Sequence, residues 1–244
     1  MKLKPLLVYH SENPRALKGY AKSSLPVIWH SNKKAWMIMT LFQDWFTNYF
    51  CPAVERYNAK RNISNKALLL LDNAPSHPVN LNDLLDNVRV EYRYIPKNTT
   101  SLLQPMDQGV IANFKAYYLR NTFLQLIKAI DGEDKPTIRD FWKKFNILDA
   151  VDNIAESWDE VKTSAMNGSW KNIWPECVHE FQGFSQAESL QKVQQGIVTL
   201  ANNIGFEEVV ENDVVKLLES HREDLTNEDL MMEQERELQD KRRI

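Results

Sequence analysis

The sequence predicts an α/β protein in which helices pack on a sheet and a helical extension follows. The run from Lys66 to Leu71 is short and almost wholly apolar, which is typical of a strand covered on both faces inside an α/β sheet. Apolar residues then recur at helical spacing from Val110 to Ile130. Helical patterns continue beyond residue 130, so we expect three regions, residues 1–130, 131–205 and 206–244.

The segments up to Asp72 fit this fold class. Pro5 to His10 predicts a strand, and the stretch from about Thr40 to Asn58 predicts an amphipathic helix with Asp44 on its solvated side. Asp72 ends the apolar run, and the following Asn-Ala-Pro cannot continue a central strand. Because ligands collect beyond the carboxyl ends of strands in open α/β sheets, we expect the Asp72 carboxylate to be presented.

A second aspartate, Asp107, opens the long helix. Pro105 suits the first helical position, which puts Asp107 in the first turn. The helix dipole favours a negative charge there by roughly 0.3 to 1 kcal/mol, so a structural role alone explains the residue. Polar residues lie near both acids in the sequence and favour a catalytic role for the pair: Asn73, His77, Lys97, Asn98, Thr99, Thr100, Ser101 and Gln104.

Later segments predict further helices. Thr137 is expected to cap a helix that runs to Phe145, and Ile147 to Lys162 forms the next one. Two short helices, Glu211 to Ser220 and Asn227 to Lys241, are expected in the tail. Four tryptophans are expected to anchor the packing of the helices, with base stacking as a less common alternative: Trp142, Trp158, Trp170 and Trp174.

Composition and charge argue against some classes of protein and favour others. The apolar runs are far shorter than the roughly 20 residues of a membrane helix. The two cysteines, Cys51 and Cys177, lack CxxC spacing, which argues against a zinc site. Residues 206–244 hold 13 acidic and 6 basic residues, a net charge of −7, whereas residues 1–205 hold 24 basic and 20 acidic residues, a net charge of +4. The acidic tail would repel DNA and suits a protein partner.

Two motifs resemble a known family. They are Leu-Leu-Asp-Asn-Ala-Pro-Ser-His-Pro at residues 70–78 and Asn-Thr-Thr-Ser-Leu-Leu-Gln-Pro-Met-Asp-Gln-Gly-Val-Ile at residues 98–111. Both are similar to DDE-type transposases of the pogo/Tigger/jerky group, as is the helix at residues 113–123. Lys-Leu-Lys-Pro at residues 2–5 and His-Ser-Glu-Asn-Pro-Arg-Ala-Leu-Lys at residues 10–18 resemble the Tigger branch in particular.

The resemblance implies an RNase H-like mixed sheet with helices, three carboxylates that hold two Mg²⁺ or Mn²⁺ ions, DNA as partner and a nuclear location. Asp72 would match the second acid and Asp107 the third. The acids before Asp72 are Glu12, Asp44 and Glu55, and none lies in a context that resembles the first-acid motif. We therefore expect an N-terminally truncated fold with impaired phosphodiester chemistry.

Six residues are candidates for nucleic-acid binding: Asn73, His77, Lys97, Asn98, Lys115 and Arg120. For Lys115 and Arg120 a solvated helix face is an equally good interpretation. An alternative function, from a different class, is a non-catalytic nuclear interaction protein that keeps the transposase scaffold and binds partners through its acidic tail.

Overall fold

The computed structural model describes residues 1–72, 74, 76–78, 81, 89–96, 99–132, 136–178 and 189–219. These residues fall into two compact units. Among the described residues, the first contains Met1–Asn13 and Tyr20–Gln104, and the second contains Pro14–Gly19 and the chain from Pro105 to Glu219. Asp72 belongs to the first unit and Asp107 to the second. The three regions expected from the sequence stay a prediction.

The first unit contains two parallel strand pairs. Strand β1, Leu6–Tyr9, pairs with β2, Ile28–Ser31, and β3, Lys66–Leu71, pairs with β4, Arg89–Tyr94. The predicted strands at Pro5 to His10 and Lys66 to Leu71 are thus confirmed. Within the described part of the chain, no strand joins the two pairs into the single mixed sheet that was expected. The mixed helix and strand content is that of an α/β protein, and the RNase H-like arrangement stays a prediction.

One nearly continuous helical segment packs on the second strand pair. Helix α1, Met39–Trp45, continues through a π-helical turn, Phe46–Phe50, into α2, Cys51–Arg61, which confirms the helix predicted from Thr40 to Asn58. Three phenylalanines spaced four residues apart lie on one face, as helical geometry requires. They form a core with residues from α2, from both strands and from the segment between the strands: Phe42, Phe46, Phe50, Val54, Leu71, Leu81 and Val90.

Strand β3 is less covered than its apolar sequence predicts. Leu71 is buried at the end of the strand, but Leu68 remains 47% exposed. The prediction that this strand is covered on both faces is therefore wrong for the face that carries Leu68. An apolar run shows that the strand is hydrophobic. Whether each face of the strand is buried depends on which other elements pack on it.

The second unit is helical. Among the described residues its helices are α4, Ile111–Ile130; α5, Ile138–Lys144; α6, Ile147–Glu160; α7, Thr163–Ile173; α8, Leu190–Asn203; and α9, Glu211–Glu219. The short α3, Thr100–Leu103, precedes them and belongs to the first unit. Helix α4 packs on α6 and α8. The buried core residues are Val110, Ala116, Tyr117, Val161, Val193, Ile197 and Val214.

Capping explains where two of these helices begin. The Thr137 hydroxyl accepts a hydrogen bond from the Asp140 backbone N–H at 3.2 Å, and the Asp140 carboxylate accepts from the Thr137 N–H at 3.3 Å. Asn146 and Asp149 form an equivalent capping box at the start of α6. Such reciprocal caps satisfy backbone N–H groups that have no partner inside the helix. The predicted cap at Thr137 is confirmed.

A buried polar seam joins α4 to α6. Asn153 is fully buried, and its side-chain amide donates to the Thr122 hydroxyl at 2.7 Å and to the Tyr118 carbonyl oxygen at 3.1 Å. The Ser157 hydroxyl donates to Oδ1 of Asn153 at 3.0 Å and accepts from Asn121 at 3.2 Å. Because these buried polar groups are paired with each other, the seam fixes how the two helices meet.

The tryptophans divide into packed and exposed ones. Trp158 packs against the core of the second unit, as predicted. Trp142 is 50% exposed and Trp174 is 47% exposed, so the prediction that these two anchor the core is wrong. Both lie on or beside helical segments whose other faces make the tertiary contacts. Within the described residues, no helix is both long and apolar enough to span a bilayer.

Candidate active site

Asp72 lies at the carboxyl end of β3, as the sequence predicts. The backbone N–H of Ile95, directly after β4, donates to the Leu71 carbonyl oxygen at 2.7 Å. The backbone hydrogen bonds between the two neighbouring segments therefore continue up to the residue before Asp72. Oδ1 of Asp72 accepts a hydrogen bond from the backbone N–H of Ala74 at 3.1 Å, which turns the chain away from the strand. The strand end and this local turn together fix the position of the carboxylate.

His77 holds the same carboxylate from the other side of the turn. Nδ1 of His77 lies 2.8 Å from Oδ1 of Asp72 and 3.0 Å from the Asp72 carbonyl oxygen. The backbone N–H of His77 donates to the Ala74 carbonyl oxygen at 2.9 Å. Oδ1 is therefore occupied by protein donors. The hydrogen bonds to this carboxylate from described residues are made to Oδ1.

Electrostatics favours a charged pair here. The hydrogen bond from His77 lowers the pKa of Asp72 below its ordinary value; burial opposes this shift, and the Ala74 hydrogen bond adds to it. Burial pulls the pKa of His77 down, but the hydrogen bonds to Asp72 and its negative charge outweigh burial, so the pKa of His77 is raised. Asp72 thus stays ionised at neutral pH, as a metal ligand must be.

Packing holds the turn in place. The ring of Phe42, from α1, lies 4.7 Å from the His77 ring, centre to centre. The Tyr94 hydroxyl, at the end of β4, donates to the Pro78 carbonyl oxygen. The helix and the neighbouring strand therefore each contact the segment that follows Asp72, and both contacts join residues far apart in the sequence.

Asp107 occupies a different setting. It is exposed and lies in a π-helical turn, Met106–Val110, that precedes α4. Gly109 has φ +140°, so the turn kinks before α4 begins at Ile111. A side chain at Gly109 would have space, with a Cβ 3.9 Å from the Ser169 hydroxyl, and it is the backbone conformation that requires glycine. The first-turn position of Asp107 is confirmed, and the kink at Gly109 separates this turn from α4.

The two basic candidates on α4 make contacts within their own unit. Nζ of Lys115 donates to the Leu218 carbonyl oxygen at 3.1 Å, near the end of α9. Arg120 pairs with Glu160, and its guanidinium lies 5.1 Å from the centre of the Tyr117 ring. Asn121 also donates to Glu160, at 2.9 Å. A phosphate contact by either cation stays a prediction, and it would compete with these contacts.

Other candidates lie outside the described residues, namely Asn73, Lys97 and Asn98. Among the residues that are described, no group of three His, Cys, Asp or Glu side chains could hold a metal ion. The carboxylate of Asp72 nevertheless fits Mg²⁺ or Mn²⁺, because these ions prefer oxygen ligands. Among the described residues, no hydrogen-bond donor reaches its Oδ2.

An acid that sequence reasoning assigned to a solvated helix face has a specific partner. Oδ2 of Asp44 lies 3.0 Å from Nε2 of His30 at the end of β2, and Oδ1 accepts a hydrogen bond from Asn48 at 2.8 Å. The Asn48 contact follows helical i,i+4 spacing and is visible in the sequence. The contact with His30 joins two distant segments and has no local signal.

Residues 1–170 match the family of the DDE superfamily endonuclease. The chain belongs to this family. The segment includes both Asp72 and Asp107, and endonucleases of this superfamily generally use divalent metal ions. The matched region is more than half of the chain, and it confirms the transposase origin that the two motifs predict.

Curated relatives place the chain in the pogo/Tigger/jerky group. It is 32% identical over 198 residues to Tigger transposable element-derived protein 7 from Homo sapiens, covering 77% of this chain and 36% of that protein. It is 30% identical over 192 residues to Jerky protein homolog from Homo sapiens, covering 78% of this chain and 31% of that protein. The chain therefore spans about a third of the length of these relatives.

A further relative is Tigger transposable element-derived protein 4 from Mus musculus, which is 25% identical over 170 residues, or 70% of this chain and 29% of that protein. The motifs also predict a particular likeness to Tigger transposable element-derived protein 1; the group is confirmed, and that finer likeness stays a prediction. No solved structure matches the chain.

Proposed function

We propose that this DDE superfamily endonuclease domain binds DNA and carries two of the three carboxylates of a divalent-metal site for phosphodiester chemistry. The observation that carries the proposal is the Asp72 carboxylate, which is held through one oxygen and has no described hydrogen-bond donor on the other. Ligating carboxylates are commonly oriented by such second contacts. The match to the family over this segment supports the same assignment.

Each residue has a separate role in this proposal. Asp72 and Asp107 supply oxygen ligands to Mg²⁺ or Mn²⁺, and His77 orients Asp72. Ions of this kind activate the attacking oxygen and stabilise the leaving oxygen. Asn73, His77, Lys97, Asn98, Lys115 and Arg120 remain candidates for contact with DNA.

The first carboxylate of the family's site has no counterpart in the motifs of this sequence. Cleavage by this chain is therefore expected to be weak, because a two-ion site that loses a ligand loses both positioning and charge stabilisation. Metal binding is the property that these residues can show by themselves. We expect a nuclear location, in keeping with a DNA partner.

The test is a Mn²⁺ titration of the chain by isothermal calorimetry, with Asp72→Asn and Asp107→Asn. Both substitutions keep the size of the side chain and remove its charge. Each should weaken Mn²⁺ binding by about tenfold or more, since loss of a contact that only orients a ligand already costs 10- to 100-fold. Asp44→Asn is the matched control and should bind Mn²⁺ as the unchanged chain does. Equal affinities in all four proteins would contradict the proposal.

A further inference from the structure

Helix α5 presents the ring of Trp142 to solvent. None of the helix residues is buried, and Trp142 is 50% exposed. Its ring lies 5.2 Å from that of Phe141 and 5.5 Å from that of Phe145, which directly follows the helix, measured between centres; both phenylalanines are half-buried. An exposed apolar patch of this kind is typical of surfaces that bind a partner.

The same helix is basic. Arg139, Lys143 and Lys144 are exposed, and the acid between them, Asp140, accepts hydrogen bonds from the Thr137 hydroxyl at 2.6 Å and from its N–H at 3.3 Å. Lys143 lies 3.8 Å from Asp140, with 64% of its side chain still exposed. Three cations against one carboxylate that is engaged in a helix cap leave the helix with net positive charge.

We propose that the surface formed by Arg139, Trp142 and Lys143, the α5 surface, binds single-stranded DNA; these residues are neighbours on one side of the helix, at positions i, i+3 and i+4. Trp142 stacks on an unpaired base, and the cations contact the phosphates on either side of it. Aromatic side chains within a basic surface are the common means by which proteins hold single strands, because every base offers a face for stacking. The inference rests on DNA as the partner in the proposed function and assigns the residues that hold an unpaired strand.

Charge complementarity favours DNA over a second copy of the chain. A symmetric contact between two α5 surfaces would bring four cations together, and like charges across an interface are unfavourable. A strand of DNA neutralises the same cations and covers the exposed ring. DNA therefore satisfies both features of the surface.

The decisive variant is Trp142→Ala, with Trp174→Ala as matched control, since Trp174 is 47% exposed in the same unit and precedes Pro175 and Glu176. Binding is measured by fluorescence anisotropy with a labelled 20-nucleotide thymidine strand and with an abasic strand of equal length. Trp142→Ala should weaken binding to the thymidine strand by roughly 5- to 150-fold and leave the abasic strand unaffected. Trp174→Ala should leave both unchanged.

A second set of variants tests the cations. Arg139→Gln and Lys143→Gln should weaken binding to both strands, and each should reduce the slope of log affinity against log salt by about 0.7. Trp142→Phe keeps an aromatic face and should keep most of the affinity for the thymidine strand, which separates stacking from any effect on folding.

Three outcomes would overturn the inference. These are unchanged affinity in Trp142→Ala, an equal loss on the thymidine and abasic strands, or a dimer in sedimentation that only this substitution dissociates. Asp44→Asn should leave binding to the thymidine strand unchanged. Because metal binding is measured separately, failure of the α5 surface is distinguishable from failure of the proposed metal site.

Discussion

Replacing His77 with alanine should loosen the strand end that presents Asp72. The substitution removes a charge-assisted hydrogen bond of 2.8 Å, which contributes about 1.5 to 3 kcal/mol. It also removes the ring contact with Phe42, which contributes about 0.5 to 1.5 kcal/mol. His77 is only 16% exposed at its side chain, so little of this is screened by solvent. We expect a local loss of about 2 to 4 kcal/mol.

Hydrogen exchange with mass spectrometry measures this loss where it occurs. The Ile95 amide, which donates to Leu71, should exchange roughly 30- to 700-fold faster in His77→Ala, because 1.4 kcal/mol corresponds to a factor of ten. His77→Asn keeps an amide donor close to the position of Nδ1 and should lose only the ring contact. Peptides from α8, in the other unit, serve as the internal control and should be unchanged.

The penalty should depend on pH. The raised pKa of His77 means that its stabilisation is complete below the ordinary histidine value of 6.5 and falls as pH rises through the folded-state value. The lowered pKa of Asp72 means that its stabilisation is complete above the ordinary value of 3.8 and falls as pH drops through the folded-state value. The penalty should therefore be larger at pH 5 than at pH 9. Equal exchange in the alanine and asparagine variants at both pH values would refute this reasoning.

Three further predictions concern stability and reactivity. Asn153→Ala should destabilise the second unit by about 2 to 4 kcal/mol in urea unfolding, because it leaves the buried partners of three hydrogen bonds unpaired; a loss below about 1 kcal/mol would argue against the polar seam. Thr137→Ala should cost about 1 kcal/mol through loss of the α5 cap, and Thr137→Ser should restore it. Cys51 should react with iodoacetamide far more slowly than the exposed Cys177 at pH 8, because burial and then the charge of Glu55 raise its pKa to about 11; equal rates would contradict this.

Local patterns predict much of this fold. Helical periodicity gives α4 and α6, and the Thr137 cap is predicted by a hydroxyl residue placed just before a helical pattern. The end of β3 at Asp72 follows from an apolar run closed by a turn sequence. Each of these signals lies within a few residues along the chain, which is why sequence reasoning finds it.

Features that depend on tertiary packing could not be predicted in the same way. The contact between Arg120 and Glu160 joins residues forty positions apart, and nothing local pairs them. The exposure of Trp142 depends on which face of α5 the other elements leave open. The kink at Gly109 has a local cause, since only glycine readily takes that backbone conformation, and a glycine two residues after Asp107 was a signal for it.

For the candidate site, the sequence predicts both carboxylates and the strand end, whereas the orientation of Asp72 comes from the structure. The hydrogen bond from His77 to Oδ1 distinguishes this carboxylate from an ordinary turn aspartate. The structure also changes the interpretation of His77. Its Nδ1 contacts Asp72, so a contact between His77 and DNA would use Nε2.

The most direct test of the metal site is cleavage of the chain by a bound iron ion. Fe²⁺ takes the place of Mg²⁺ or Mn²⁺ among oxygen ligands, and with ascorbate and peroxide it generates radicals that cut the backbone beside the ion. Cuts mapped by mass spectrometry should fall near Asp72 and near Asp107, and both sets should disappear with excess Mg²⁺ and in Asp72→Asn. Cuts near only one aspartate, or a pattern that Asp72→Asn leaves intact, would contradict the account.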